Sequence, residues 1–230
     1  AGTAERILEV GEPVDTYWIR EWAGVNPENG APMWYMNDAN SNKVTTSDPA
    51  KADKYKCGTA SPDVFGGFST SLSWKNFDLS AVFGYSIGGH IYNYSRLEYD
   101  SDGAYGDRNQ MKLQKDWKRW EKPGDIATHP VAKYGNKDQG NIASSRYLED
   151  SDYLKMRSLT LGYNFKLPQW GIQNLRVYFS GENLFTITDY SGVDPEIPAG
   201  KNADGNLSVM GTAGASVYPS VRKFMFGLNL

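Results

Sequence analysis

Between Val64 and Ile91 two apolar series run at a spacing of two residues and meet across a short turn. Phe68, Thr70, Leu72 and Trp74 alternate with Ser69, Ser71 and Ser73; after Lys75 and Asn76, Phe77, Leu79, Ala81, Phe83 and Tyr85 alternate with Asp78, Ser80, Gly84 and Ser86. A period of two is the mark of a strand. With Lys75 and Asn76 as a two-residue hairpin turn, Trp74 falls opposite Phe77, Leu72 opposite Leu79, Thr70 opposite Ala81 and Phe68 opposite Phe83. The other face then pairs Ser73 with Asp78, Ser71 with Ser80 and Gly67 with Gly84. One register serves both strands, and a slip of one residue would exchange their faces.

A soluble sheet packed on a core also alternates, so a β-sandwich, such as a carbohydrate-binding module, stays an alternative. Strand length favours another solution. The alternation lasts roughly 10 residues per strand, beyond the ~5 to 6 of soluble strands and equal to the ~9 to 11 that a tilted strand needs to cross a bilayer. The second face carries Ser, Gly and Asp, small polar groups suited to a crowded or water-filled interior. Mean hydropathy of -0.57 and the lack of any apolar run approaching membrane-helix length exclude a spanning helix, but not a barrel whose strands are half apolar. A net charge of -3 without a Lys- and Arg-dominated segment argues against nucleic acid as a partner. Cys57 is the single cysteine, so no internal disulfide and no thiolate metal site is expected. Ala1 to Val10 lacks a basic start followed by an apolar core, which reads as a mature or internal starting point.

Along the chain, Ile7 to Val10 and Asp15 to Val25 read as extended, Asn26 to Pro32 as a turn, Met33 to Met36 as a brief hairpin arm, and Asn37 to Pro62 as a long exposed loop. After Ile91 no alternation returns until Tyr153. Within that span Asp107 with Gln110 reads as a capping box, Leu113, Trp117 and Trp120 as one stripe of a helix, and Lys122 to Gly124 as its stop. Leu159, Leu161, Tyr163 and Phe165 then alternate with Ser158, Thr160, Gly162 and Asn164, an alternation that places Lys155 and Arg157 on the apolar face. Lys166 to Asn174 is a short turn. Leu175, Val177, Phe179, Phe185 and Ile187 share one face against Arg176, Tyr178, Ser180, Glu182 and Thr186, with Asn183 and Leu184 as exceptions. After a second long loop, Asp189 to Ser216, Phe224, Phe226, Leu228 and Leu230 alternate with Lys223, Gly227 and Asn229.

Short connections (Lys75 to Asn76, Lys166 to Asn174) alternate with long ones (Asn26 to Pro62, Tyr92 to Asp152, Asp189 to Ser216). That asymmetry fits an outer-membrane barrel, with short turns on the periplasmic side and long loops outside. The fold class expected is all-β, an antiparallel transmembrane barrel. Phe68, Leu72, Trp74, Phe77, Leu79, Phe83, Leu161, Tyr163, Phe179, Phe224 and Phe226 are expected to face lipid, with Trp74, Phe77, Phe165 and Trp170 in an aromatic girdle near the short turns. The six strands counted here fall short of the ~8 of the smallest membrane barrels, so further strands must close the sheet.

Three stretches resemble a known family. YLKMRSLTLGY (Tyr153 to Tyr163), LRVYFSGENLFTITDYSGVDPE (Leu175 to Glu196) and the ending from Tyr218 and Pro219 through Arg222 to FGLNL (Phe226 to Leu230) are similar to the C-terminal region of the SusC/RagA family of TonB-dependent outer-membrane transporters of Bacteroidetes. PDVFGGFSTSLSWKNFDLSAVFGY (Pro62 to Tyr85) and WAGVNPENGAPMW (Trp22 to Trp34) resemble it too. The resemblance implies that residues 1–230 are the C-terminal portion of a barrel of about 22 strands. It also implies an N-terminal plug, a SusD-like surface lipoprotein as cap, energy through TonB, and import of oligosaccharides or peptides. The sequence departs from the family in containing neither plug nor TonB-contacting segment, and in ending on Leu230 where such barrels often end in Phe.

The candidate sites carry bland readings beside the functional ones. His90 and His129 have no G-x-S-x-G elbow for a triad. Glu149, Asp150 and Asp152, like Asp194 and Glu196, offer carboxylates of the glycosidase kind, but read more simply as turn and loop-end groups. Asp100, Asp102 and Gly103, and Asn202, Asp204 and Gly205, miss the calcium-loop spacing. Lys112, Lys115, Lys118, Arg119 and Lys122 read as a solvated basic face. Trp117 and Trp120 stand out: on an outer loop they would stack on a sugar, pack on the lipoprotein, or pack within the loop itself. No enzyme activity and no cofactor is expected.

Overall fold

The computed structural model describes residues 4–135, 137–196, 212–213 and 220–230. Its strands in chain order are β1 (Thr16–Arg20), β2 (Trp22–Val25), β3 (Pro32–Asn37), β4 (Lys43–Thr46), β5 (Lys54–Thr59), β6 (Val64–Trp74), β7 (Phe77–Ile87) and β8 (His90–Asn93). Helix α1 (Tyr94–Tyr99) follows, then β9 (Leu148–Asp150), β10 (Tyr153–Leu167), β11 (Ile172–Ile187), β12 (Thr212–Ala213) and β13 (Lys223–Asn229). The chain divides into two compact units. One draws its described residues from Ala1–Ser61, His90–Glu149 and Ile197–Val217, the other from Pro62–Gly89, Asp150–Glu196 and Tyr218–Leu230.

The second unit is one antiparallel sheet in the order β13-β11-β10-β7-β6. Its first hairpin has the register that the alternation dictates: Trp74 opposite Phe77, Leu72 opposite Leu79, Thr70 opposite Ala81, Phe68 opposite Phe83 and Ser73 opposite Asp78. Lys75 turns the chain with a positive φ of 55°. The strands have 11, 11, 15 and 16 residues from β6 to β11, long enough to cross a bilayer at a tilt. Phe68, Leu72, Trp74, Phe77, Leu161, Phe224 and Phe226 are exposed on one face, and Leu79, Phe83, Tyr163 and Phe179 are half-buried among them. A sandwich would bury this face beneath a second layer. Instead Leu161 is 44% and Phe226 83% exposed, which removes the sandwich alternative. Near the short turns Trp74, Phe77, Tyr163 and Phe165 form a continuous row, with ring centroids 6.5, 4.5 and 4.5 Å apart. The Trp170 side chain, expected in the same girdle, lies outside the described residues.

Lys155 and Arg157 are not on the apolar face, a correction that follows from the register. Leu159 pairs with Ala81 and Met156 with Phe83, so three steps along β10 match two along β7. The extra residue is a bulge. It inverts the faces beyond it: Met156 joins Leu159 and Leu161, while Lys155 falls opposite Gly84 and Thr186 on the polar face. Strand β11 takes four steps over the same level, from Gly181 to Phe185, through Asn183 at a positive φ of 53°. Two extra residues preserve parity, so Phe185 and Ile187 stay with Phe179 as the alternation has them. Leu184 folds back over Gly181, where a Cβ would stand 2.6 Å from its Cδ2.

The first unit departs further from the sequence reading. Ile7 to Val10 is no strand; a single bridge joins Arg6 to Tyr17. The supposed loop Asn37 to Pro62 contains β4, paired with β3, and β5, paired with β1. Consequently β1 and β2, counted from sequence toward the large sheet, belong to small sheets of this unit, and the large sheet has five strands instead of six. The helix expected around Leu113, Trp117 and Trp120 is absent. The backbone of Lys118 and Trp120 instead bonds Thr128 and His129, which takes the amides and carbonyls that a helix would need (Thr128 N–H to Lys118 O, 2.9 Å; Trp120 N–H to His129 O, 3.0 Å). The helix that does form, α1, is capped by Asn93, whose side chain accepts from the Arg96 N–H. Its Leu97 joins Tyr17, Ile19, Ala60, Tyr92 and Tyr147 in a small core.

Candidate functional site

The polar face of the large sheet is where chemistry gathers. Near the short turns Arg176 donates to both carboxylate oxygens of Asp78 (Nε 3.1 Å, Nη2 2.5 Å), and Asn164 donates to the same group at 3.3 Å. Gly162 makes room for it, since a Cβ there would stand 2.4 Å from Asp78 Oδ1. Farther along, Glu182 pairs with Lys223 at 3.1 Å.

At the long-loop end the bulge delivers Lys155 and Arg157 to two carboxylates from the segment after β11. Lys155 Nζ lies 3.1 Å from both Asp194 and Glu196, and also reaches Ser220 Oγ at 3.4 Å. Arg157 Nη2 donates to the second Glu196 oxygen at 2.5 Å. Pro195 separates the two carboxylates, and the Glu196 N–H bonds Asp194 Oδ1 at 3.0 Å, so both turn to one side. Burial pushes the Asp194 and Glu196 carboxyls up. Hydrogen bonds outweigh it and hold both below the usual range: for Asp194 from the Glu196 N–H, Ser220 and Lys155, for Glu196 from Arg157 and Lys155. These residues bind charge in pairs; nothing in their geometry activates a nucleophile.

In the first unit the expected site residues are held by a buried polar network. Asp100 accepts from Arg96 at 3.0 Å and from His129 Nε2 at 2.9 Å, with Arg146 3.5 Å away. Asp102 accepts from Arg119 at 2.7 Å and from Arg146. Glu149 accepts from Arg96 at 2.9 Å and from Asn93 at 3.2 Å. Guanidinium groups engage all three acids. Asp152 bonds the Gly88 N–H at 2.7 Å as a loop-end group. Asn202, Asp204 and Gly205 lie outside the described residues. Of the basic series, Lys112, Lys115, Lys118 and Lys122 are exposed, while Arg119 turns inward.

Trp117 and Trp120 are brought to different places. Trp117 packs on His129 with centroids 4.9 Å apart, and the Arg96 guanidinium lies 4.3 Å from its ring centre. Trp120 donates from Nε1 to Pro27 O at 3.0 Å and covers Gly30, where a Cβ would stand 2.4 Å from the ring. Both pack within the unit. Arg96 and Arg146, which organise it, had no motif in the sequence to mark them; Lys155 had one, a cation standing at apolar parity.

No protein-family model matches the sequence. It is 32% identical over 98% of its length to TonB-dependent receptor P3 of Formosa agariphila, of which it spans 23%. It is 27% identical over 96% of its length to TonB-dependent receptor SusC of Bacteroides thetaiotaomicron, spanning 20% of that protein. Among solved structures it matches the RagAB peptide transporter with a TM-score of 0.70 and 25% identity, over 96% of this chain and 23% of the solved one. The RagAB peptide importer in its closed-closed state matches with a TM-score of 0.66 and 26% identity, over 97% and 23%. The chain thus spans about a quarter or less of each of these proteins.

Proposed function

Because this chain belongs to the SusC/RagA-like TonB-dependent receptors of the bacterial outer membrane, we propose that it forms one wall, the C-terminal portion of the barrel, of an active importer of oligosaccharides or peptides. Lipid covers Phe68, Leu72, Trp74, Phe77, Leu79, Phe83, Leu161, Tyr163, Phe179, Phe224 and Phe226. The opposite face lines the conduit or seats a plug supplied by other parts of the polypeptide. The long loops meet a SusD-like lipoprotein and incoming substrate, and TonB drives the cycle through the plug. The observation that carries this reading is the five-stranded sheet whose long strands keep one face apolar and exposed and gather their ion pairs on the other.

The experiment is uptake by the full-length protein in its outer membrane. A fluorescent pool of tryptic peptides and, in parallel, a labelled pool of partially hydrolysed polysaccharide serve as probes. Uptake of one pool that is lost on deleting either the receptor or TonB supports the proposal, and the pool that enters names the substrate class. Uptake of both pools unchanged by either deletion refutes it.

A further inference from the structure

Lys155 is 2% exposed, a depth at which a lysine keeps its charge only among compensating groups. It has more than it needs: Asp194 and Glu196 both reach it, and Arg157 restores the balance by taking the second oxygen of Glu196. The arrangement is built from both sides. On the sheet, the bulge of β10 turns two cations inward, and Gly84 leaves the space that Arg157 crosses, since a Cβ there would stand 2.5 Å from Arg157 Nε. On the segment after β11, Thr188 Oγ1 donates to Asp152 O at 2.6 Å, Tyr190 is buried, and the Asp194–Glu196 turn presents both carboxylates together. Ser220, three residues before β13, adds a third attachment. Residues 188–196 are thereby tied down at both ends onto the polar face of the wall.

Resting on the importer reading above, we propose that Lys155, aided by Arg157, is a positioning residue: its ion pairs with Asp194 and Glu196 clasp residues 188–196 to the wall and hold the outer end of the conduit in the shape that admits substrate. No substrate contact by Lys155 is required. The clasp acts on the affinity of entry by fixing what substrate passes, so its loss changes import at limiting substrate more than at saturation.

The test uses the full-length receptor in its outer membrane, in a cysteine-depleted background carrying Val193→Cys with a spin label; Val193 is 78% exposed beside the clasp. In Lys155→Met the label is expected to move freely, and uptake of the pool that enters to fall by about tenfold at limiting concentration, with a smaller fall at saturation and an unchanged heat-modifiable barrel band. Lys155→Arg is expected to restore both readouts. Glu196→Gln, which keeps the Lys155–Asp194 pair, gives an intermediate result and becomes the deciding variant if Lys155→Met fails to assemble. A label that stays immobile in the deciding variant overturns the clasp. A freed label with unchanged uptake overturns its role in import. TonB-independent uptake by the unaltered receptor strikes the importer reading itself, and label motion then still decides whether the clasp exists.

Discussion

Asp100→Asn removes one charge from a buried cluster while keeping the shape of the side chain. Asp100 is 1% exposed and receives Arg96 at 3.0 Å and His129 at 2.9 Å, with Arg146 at 3.5 Å. Arg96, Arg119 and Arg146 are matched in number by Asp100, Asp102 and Glu149. The amide therefore leaves one guanidinium without compensation. Breaking a buried pair from one side costs about 3–5 kcal/mol, and since the amide oxygen still accepts one hydrogen bond, a loss of about 3 kcal/mol is expected. At roughly 3 °C per kcal/mol for a unit of this size, its unfolding midpoint falls by about 9 °C. Hydrogen exchange of the full-length receptor, followed in peptides covering Leu97 and Tyr147, reads the change locally. The control is Lys43→Ala, which breaks an exposed, solvent-screened pair with Glu21 and should leave the exchange of these peptides unchanged. The carboxyl adds a pH signature. Burial pushes it up, but His129, Arg146 and Arg96 hold it below its ordinary value. Its folded pKa thus lies under the unfolded one near 3.9, so its stabilisation is present above about pH 4 and lost as pH falls through the depressed value. Protection that collapses on acidification in the wild-type protein should do so less steeply in Asp100→Asn. A variant within about 1 kcal/mol of wild type would refute the reasoning.

Gly30→Ala adds a Cβ 2.4 Å from the Trp120 ring at a φ of +70°, and is expected to cost about 1–3 kcal/mol, read as faster exchange around Pro27 and Trp120. Leu161→Arg places a charge on the apolar face and should destabilise the assembled barrel by about 2–4 kcal/mol if that site lies at the bilayer midplane, whereas Ser71→Thr on the opposite face changes it by less than about 0.5 kcal/mol; heat-modifiable migration of the full-length protein measures both. Asp194 and Glu196 are held below their ordinary range, so their ion pairs with Lys155 persist through the usual carboxylate range and weaken only as pH falls through the depressed values, and a label at Val193 should gain mobility only in acid.

The sheet was legible because each of its strands repeats one instruction over many residues. Phe68, Leu72 and Trp74 against Ser69, Ser71 and Ser73 admit one register, and the structure has it. The first unit was not legible because its elements are too short to repeat anything: β4 has four residues, α1 has six, and the core is closed by single residues from distant points of the chain, Tyr17, Tyr92 and Tyr147 among them. Its polar network joins Arg96 to Glu149 and Asp102 to Arg146 across long separations that no local pattern encodes. Trp117 and Trp120 illustrate the failure. Their spacing suits one helical stripe, but backbone pairing with Thr128 and His129 sends one ring toward Arg96 and the other toward Gly30.

The bulge in β10 shows how a broken alternation can itself be informative. Strict parity from Leu161 back to Lys155 sets two cations among apolar side chains, an arrangement that a lipid-facing wall opposes, by less at the long-loop end than at the midplane. One inserted residue resolves the conflict, while two insertions in β11 leave its faces unchanged. With the bulge in place, Asp78, Lys155, Arg157, Arg176, Glu182 and Lys223 all lie on the polar face, and each is paired. That separation of charge from apolar surface is complete only because the ladder slips where it does. A sheet in water has little reason to enforce it, since its outer face solvates charge freely; a wall with hydrocarbon on one side does.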